Sequence, residues 1–589
     1  MCGIAIAIRP IGACPACTAP GMAIMLQAHR GPHGSGSVEL HLPWADVSLV
    51  MSRLKIVDQR DLAIPFRSER LQVAIAYNGE IYNWRQLRAD LSQQTETRWE
   101  TECDTEVLAV AYRYWGIEKA LRSFNGMFSF ILVDMASGAI HMARDRLGQK
   151  PLFYAMEGDH FYAASEAKAL PIHLERVPCL DAEVLEYDVL DSTPLRGVKR
   201  LLPGHRLELC NIEDGSHSLQ FARSTSWYSL PEPNRISRPD GKTDRALTDE
   251  LEELLLDSVK LRCDAQVPVA LQFSGGLDST LIHAACLQLG LADIPLFCVT
   301  MQEIDHLSVA RAASSPATVY PVEIDRSSFL EALPKATYHL DTPATWTAVC
   351  LWLLDEAIAK TGARIVISGE GADELFCGYS RYRALYWLDQ ALRDPLLQDY
   401  QPLVKRALKE PLQAMVSLLD RGETDHSRAQ AMAWLLQFGS PEPTSWLQLA
   451  RTETHTTLQC LLRMADRMAS AHSLENRCPF LDHRIVKLST QLPEHLLINA
   501  EQSKVILRQI AHRWGVPDSV INETTKRGLA IPWAKWGQQV SRSGSRFAGG
   551  LSRGAWDRRS FSSLMHKTWR EVMLSEHLHC TRLPDKPCG

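Results

Sequence analysis

No run in this sequence of 589 residues approaches the roughly 20 consecutive apolar residues with which a helix crosses a bilayer. The first residues also lack the basic stretch and long apolar run of a secretory leader. Neither a membrane partner nor export is expected, and the cytoplasm is the predicted compartment. Basic side chains are scattered, and the formal net charge is −6, which leaves no electrostatic footprint for nucleic acid or an anionic lipid surface. The fifteen cysteines lack the spacing of a disulfide framework and read as reduced thiols. Cys14 and Cys17 form a CxxC, but no second CxxC or His pair stands at zinc spacing. His577, His579, Cys580 and Cys588 are an equally thin metal set. Internal repeats and the Walker pattern GxxxxGKS/T are missing too.

What is there is an ordinary globular composition, 46% hydrophobic and 22% charged, in a chain longer than one core usually serves, so at least two domains are expected. Residues 1–212 carry short apolar runs of period two (CGIAIAI, LQVAIAYNGEIYN, MFSFILVD, AIHMARD, HFYAASE) punctuated by Gly, Asp and Asn, with a helical stretch at CDTEVLAVAYRYWG. An α+β sandwich buries such strands most simply. Residues 213–245 turn polar and rich in Pro and Ser, as a linker does. From 246 a helix, TDELEELLLDSVKLR, opens a second domain in which VPVALQF, PLFCVT, ATVYPVEI and ARIVISG alternate with helical segments. That alternation predicts an α/β fold with a mostly parallel sheet, followed to residue 540 by a largely helical part. Residues 541–589 read as a mobile tail.

The chain begins MCGIAIAIRP. Removal of Met1, expected because the next side chain is small, leaves Cys2 with a thiol and a free α-amine, a nucleophile that carries its own base. The apolar, β-branched surroundings also suit a buried cysteine in a first strand.

FSGGLDST follows VPVALQF, which reads as a buried strand, and precedes a helical pattern. Gly275 and Gly276 allow a sharp turn that presents backbone N–H groups, and Ser274, Ser279 and Thr280 add hydroxyls at a helix N-terminus, an anion cradle. An ordinary βα turn explains the glycines but not three hydroxyls plus Asp278, which calls for a cation beside it. SGEGADELFCGYSRYR follows the strand ARIVISG. Loops at the carboxyl ends of parallel strands share one crevice, so Glu370, Asp373 and Glu374 should face the cradle, to hold magnesium on phosphates or to orient an amine. GADE also suits a capped helix start.

With Cys2, NGEIYN, SGGLDS and GEGADE in that order, the chain resembles glutamine-dependent asparagine synthetases over residues 2 to about 537. HRGP, RLKIVD, ARDRLGQKPLFY, ASEAKAL, LPGH, DRMASAHSLENRCPFLD and KVILRQ add to the likeness. The resemblance implies an N-terminal-nucleophile hydrolase sandwich acting as a class II glutamine amidotransferase, then an ATP-pyrophosphatase synthetase domain. Cys2 would attack the side-chain amide of L-glutamine to form a γ-glutamyl thioester, with its α-amine as proton shuttle. Asn78 and the N–H of Gly79 would stabilise the oxyanion. Arg53 would grip the α-carboxylate, and Asp104 with Glu80 would select the α-amino group. ATP and pyrophosphate would lie on Ser274, Gly275, Gly276, Leu277, Asp278, Ser279, Gly369 and Lys504. Asp278 and Asp373 would be the acids for Mg2+, and Glu370 a contact near the reacting acyl group. Lys526 also matches a family basic position. Ammonia would travel through an internal apolar channel to displace AMP from an acyl-adenylate. A homodimer is compatible with this reading.

Departures bear on the acceptor. His33 stands where Asp is common and Cys103 where Ser is common, neither at a proposed reacting atom. DTPATWTAVCLWLL, with Trp346 and Val349, is apolar where relatives that make asparagine often carry polar groups. Burying the charges of free aspartate there without partners is costly. L-aspartate and a larger or more apolar carboxylic acid therefore both stand as acceptors. Intramolecular closure, as in β-lactam synthetase or lasso-peptide cyclase relatives, accords less well with a chain that keeps Cys2, Arg53, Asn78 and Asp104. A sensor without chemistry accords least.

Overall fold

The computed structural model describes residues 1–11, 19–171, 191, 193, 195–210, 224–231, 243–302, 306–314, 317–380, 382–383, 386, 446–524 and 532. Cys14, Cys17, Lys526, the last residues with their His and Cys, and part of the stretch expected to be helical lie outside them. The strands are β1 (Gly3–Pro10), β2 (Ser35–His41), β3 (Ala45–Ser52), β4 (Phe66–Ser68), β5 (Val73–Ile81), β6 (Gly126–Asp134), β7 (Ile140–Arg144), β8 (Phe153–Glu157) and β9 (His160–Ala164). They continue with β10 (Lys199–Arg200), β11 (His205–Leu209), β12 (Thr225–Ser226), β13 (Val269–Gln272), β14 (Leu296–Thr300), β15 (Val319–Glu323), β16 (Ile365–Ile367) and β17 (Glu475–Arg477).

Two antiparallel six-stranded sheets, ordered β10-β8-β9-β1-β3-β2 and β12-β11-β7-β6-β5-β4, make the first half. The period of two in the sequence becomes two faces. Ile4, Ile6 and Ile8 of β1 join Ala74 and Ala76 of β5 and Ile131 and Val133 of β6 in the core between the sheets. Val73, Ile75 and Tyr77 point the other way, with Phe128, Phe130 and Leu132, toward helices Trp84–Gln94 and Asp104–Ser123. On β5 the alanines thus face the opposing sheet and the larger residues face the helices, in an α+β sandwich as expected. Within the stretch read as a linker, β12 pairs with β11, anchored by Trp227 stacked on Phe128 with centroids 6.3 Å apart.

The second half is built on a parallel five-stranded sheet, β15-β14-β13-β16-β17. Alternate residues again serve two cores. Leu271, Leu296 and Ile367 face helices Asp244–Cys263 and Leu277–Gln288. Ala270, Phe297 and Val366 face helices Arg326–Leu340, Trp346–Ala359 and Thr457–Ala471. Met1 reaches across the junction and is buried in this second core.

Buried charges join the halves. The Arg30 guanidinium donates to Glu166 at 2.9 Å and to Asp466 at 3.0 Å, Arg467 reaches Glu166 at 2.7 Å and Asp341 at 2.9 Å, and Lys150 lies 3.4 Å from Asp466. Removing one member of such a pair leaves an uncompensated buried charge, so the junction has one specified register.

Candidate active sites

Cys2 is placed by the first pairing of β1, Gly3 opposite Ser52. Its carbonyl accepts from Arg30 Nε at 3.1 Å, and its N–H donates to Asn78 Oδ1 at 3.0 Å. Asn78 Nδ2 is 3.5 Å from Ser129 Oγ. Gly79 has φ 153°, and a Cβ there would lie 2.1 Å from the Met127 carbonyl oxygen, so only glycine fits between the strands. Burial pushes the Cys2 thiol up, while the neighbouring α-ammonium, the Leu54 N–H and Arg53 pull it down. The Met1 ammonium, 3.8 Å from Glu475, is pushed down to about 6 by burial.

One pocket, open to solvent, gathers Cys2, Arg53, Gly79, Glu80 and Asp104, so five residues picked from distant motifs share a wall. Arg53 donates to the carbonyls of Arg60 at 2.9 Å and Asp58 at 2.7 Å, shaping the loop after β3. Asp104, the first residue of its helix, accepts from the Ile81 N–H at 2.9 Å. Burial holds its carboxyl up at about 6. Glu80 is raised well above the carboxylate range by burial and by the Asp104 charge, and Arg477 opposes this from 3.1 Å. Such a site offers a thiol, carboxylates and a guanidinium at fixed separations, a fit for an α-amino acid carrying a reactive side chain.

Sequence reasoning missed Glu475, which lines this pocket although it belongs to β17 in the other half. ENRCPFLD belongs to a stretch that carries the family likeness, but the facing of a three-residue strand leaves no periodic signal. The next residue, Asn476, donates through Nδ2 to Ser368 Oγ at 3.1 Å. Ser368 directly follows β16 and begins the SGEGADE loop, so adjacent residues of β17 touch the Cys2 pocket and the start of the second site's loop.

At the carboxyl end of β13, Gly275 turns with φ 73°, where a Cβ would meet the Ala310 Cα at 2.7 Å. Ser274 Oγ is 3.2 Å from Ser279 Oγ and accepts from the Gly276 N–H at 3.3 Å. Helix Leu277–Gln288 starts there; Leu277 packs into the core and places Asp278 at the mouth. β13 and β16 are neighbours, which sets the 274–279 and 369–374 loops side by side. Gly369 backs directly onto Asp278, whose Cβ would be 3.2 Å from a Cβ at 369, and Glu370 follows it. Lys504 Nζ lies 2.6 Å from both Asp278 carboxylate oxygens and 2.8 Å from Asp373 Oδ1. Burial opposes its charge, yet the two carboxylates hold it up at about 12. Glu374 accepts from the Tyr379 hydroxyl at 2.6 Å.

Helix Trp346–Ala359 precedes β16 and packs against β14 and β15 in the second core. Thr345 caps it, accepting from the Ala348 N–H at 3.3 Å. Trp346 is half-buried there, whereas Val349 is in the core. Of the two apolar departures, only Trp346 keeps exposed surface.

Comparison with known proteins covers both halves of the chain. Residues 250–582 match the family described as asparagine synthase, and residues 1–220 match the glutamine amidotransferase domain. Asparagine synthetase [glutamine-hydrolyzing] 1 of Bacillus subtilis is 28% identical over 86% of this chain and 83% of its own. A putative asparagine synthetase [glutamine-hydrolyzing] of Mycobacterium tuberculosis is 30% identical over 91% and 88%. Amidase chyE of Penicillium rubens is 24% identical over 85% and 83%.

Proposed function

The chain belongs to the asparagine synthase family, and on that premise we propose that it releases ammonia from L-glutamine at Cys2 and adds it to a carboxylic acid activated by ATP. The products are an amide, glutamate, AMP and pyrophosphate. The glutaminase half is assigned to residues 1–212 and the synthetase half to 246–540, joined by 213–245.

In the first half the Cys2 thiol, freed from Met1, attacks the glutamine amide carbon, and its α-amine moves the proton. Asn78 beside that nitrogen and the Gly79 N–H receive the oxyanion, a type of contact worth about 3–4 kcal/mol elsewhere. Arg53 takes the α-carboxylate; Asp104 and Glu80 take the α-ammonium. Met1 supports an ammonia route by its position: it fills space between Cys2 and the core around Ala270 and Val366, which its removal opens toward the synthetase sheet. Apolar walls keep ammonia from protonation.

In the second half Ser274, Ser279 and the N–H groups of the 274–279 loop receive the pyrophosphate, with Lys504 as its cation. The residues present fit Mg2+: Asp278 and Asp373 offer hard oxygen donors that already converge on a cation, the Lys504 ammonium. When bound there, the metal would neutralise phosphate charge as pyrophosphate leaves. Glu370 stands on the same loop, toward the acyl group.

The observation that carries this reading is the single pocket joining Cys2, Arg53, Glu80 and Asp104 to Glu475, one residue from a hydrogen bond to the loop of the second site. The apolar segment DTPATWTAVCLWLL, which contains Trp346, speaks for an acceptor less polar than aspartate. The test supplies ATP, magnesium and a panel of carboxylic acids including aspartate, and measures AMP release. Acid-dependent release supports the reading, and release with no acid in the panel overturns it. Activity with aspartate alone would assign the aspartate acceptor and remove the role given to that segment.

A further inference from the structure

Lys504 is buried and directly precedes helix Val505–Arg513, with its backbone in the left-handed region at φ 56°. Its ammonium lies between two carboxylates from separate loops, 2.6 Å from Asp278 and 2.8 Å from Asp373. Gly378 closes the third side. A Cβ there would stand 1.9 Å from Asp373 Oδ1 and 2.1 Å from Lys504 Cε, so the backbone lies flat against the pair. The place that two facing carboxylates make for a cation is thus filled by a side chain of the protein itself.

We propose that Lys504 is the resident cation of the nucleotide-free site and yields Asp278 and Asp373 to a divalent metal only when nucleotide phosphates arrive to take its ammonium. This rests on the reading of the 274–279 loop as a phosphate cradle. A metal ion entering alone has to sit against a buried ammonium with no anion to receive it, and like charges at that range in a low-dielectric site repel strongly. Phosphate oxygens remove the conflict, since they offer Lys504 a new partner and supply ligands that two carboxylates leave unfilled around a small divalent ion. Metal and nucleotide therefore enter together.

The test titrates manganese into the full-length protein without nucleotide and follows free manganese by electron paramagnetic resonance. Lys504→Met should bind manganese at least about tenfold more tightly than wild type. Lys504→Met with Asp278→Asn should lose that gain, and Lys504→Arg, which keeps a cation, should resemble wild type. Lys504→Gln, neutral and polar, repeats the measurement if the Met variant does not fold. Wild type binding manganese as tightly as the neutral variants overturns the proposal, as does a gain that survives Asp278→Asn. No turnover is read, so failure of the amide-forming reaction would appear separately, in the acid-dependent AMP assay.

Discussion

Arg477 and Glu80 meet 3.1 Å apart across the junction of the two halves, and the same guanidinium donates through Nε to Glu475 at 2.8 Å. A residue of the synthetase sheet therefore holds two carboxylates on the wall of the Cys2 pocket. Replacing Arg477 by Leu removes the cation nearest to both buried carboxyls, a loss of about 3–5 kcal/mol. Denaturant unfolding should register that loss, and the KM for glutamine should rise. A stability change below about 1 kcal/mol would mean that the pair is not what fixes the junction.

The nucleotide site should be separable from the glutamine site. Asp278→Ala removes a carboxylate facing the phosphate cradle and touches nothing in the Cys2 pocket. It should abolish acid-dependent AMP release and leave glutamine hydrolysis within about twofold of wild type, because sites without shared partners behave independently. Unchanged AMP release would remove the 274–279 loop from nucleotide binding.

Asp104 gives the glutamine reaction an acid limb. Its carboxyl is held up at about 6 by burial, against an ordinary 3.8, and it grips an α-ammonium only when ionised. Glutamine kcat/KM should therefore fall as pH drops through about 6, and Asp104→Asn should be slow and lack that limb. The stability contribution has the opposite sense. A carboxyl whose folded pKa is raised favours folding below its unfolded pKa, and that contribution is lost as pH rises through about 6. An acid limb unchanged in Asp104→Asn would assign it to another group.

Both folds were legible because side-chain period and burial coincide: Ile4, Ile6 and Ile8 alternate with Ala5 and Ala7 and serve opposite faces of one sheet. The sites were legible where a short motif carries several functional groups at once, as in NGEIYN and SGGLDS. Glu475 and Arg477 were not, since their roles come from the docking of β17 against the other half, which no local spacing encodes. Gly378 acts through the space it leaves beside Lys504, a residue far along the chain. Trp227 stands in a polar stretch and is an anchor through distant partners, Phe128 stacked on its ring and the Arg144 carbonyl that accepts from its indole N–H.

The most direct test of the account measures amide product in Cys2→Ala with ATP, the accepted acid, and either glutamine or ammonium as nitrogen source. Cys2 lies in the glutamine pocket and has no part in the phosphate cradle, so product from glutamine should vanish while product from ammonium stays within about twofold of wild type. Equal loss from both sources, or product from glutamine without the Cys2 thiol, would contradict it.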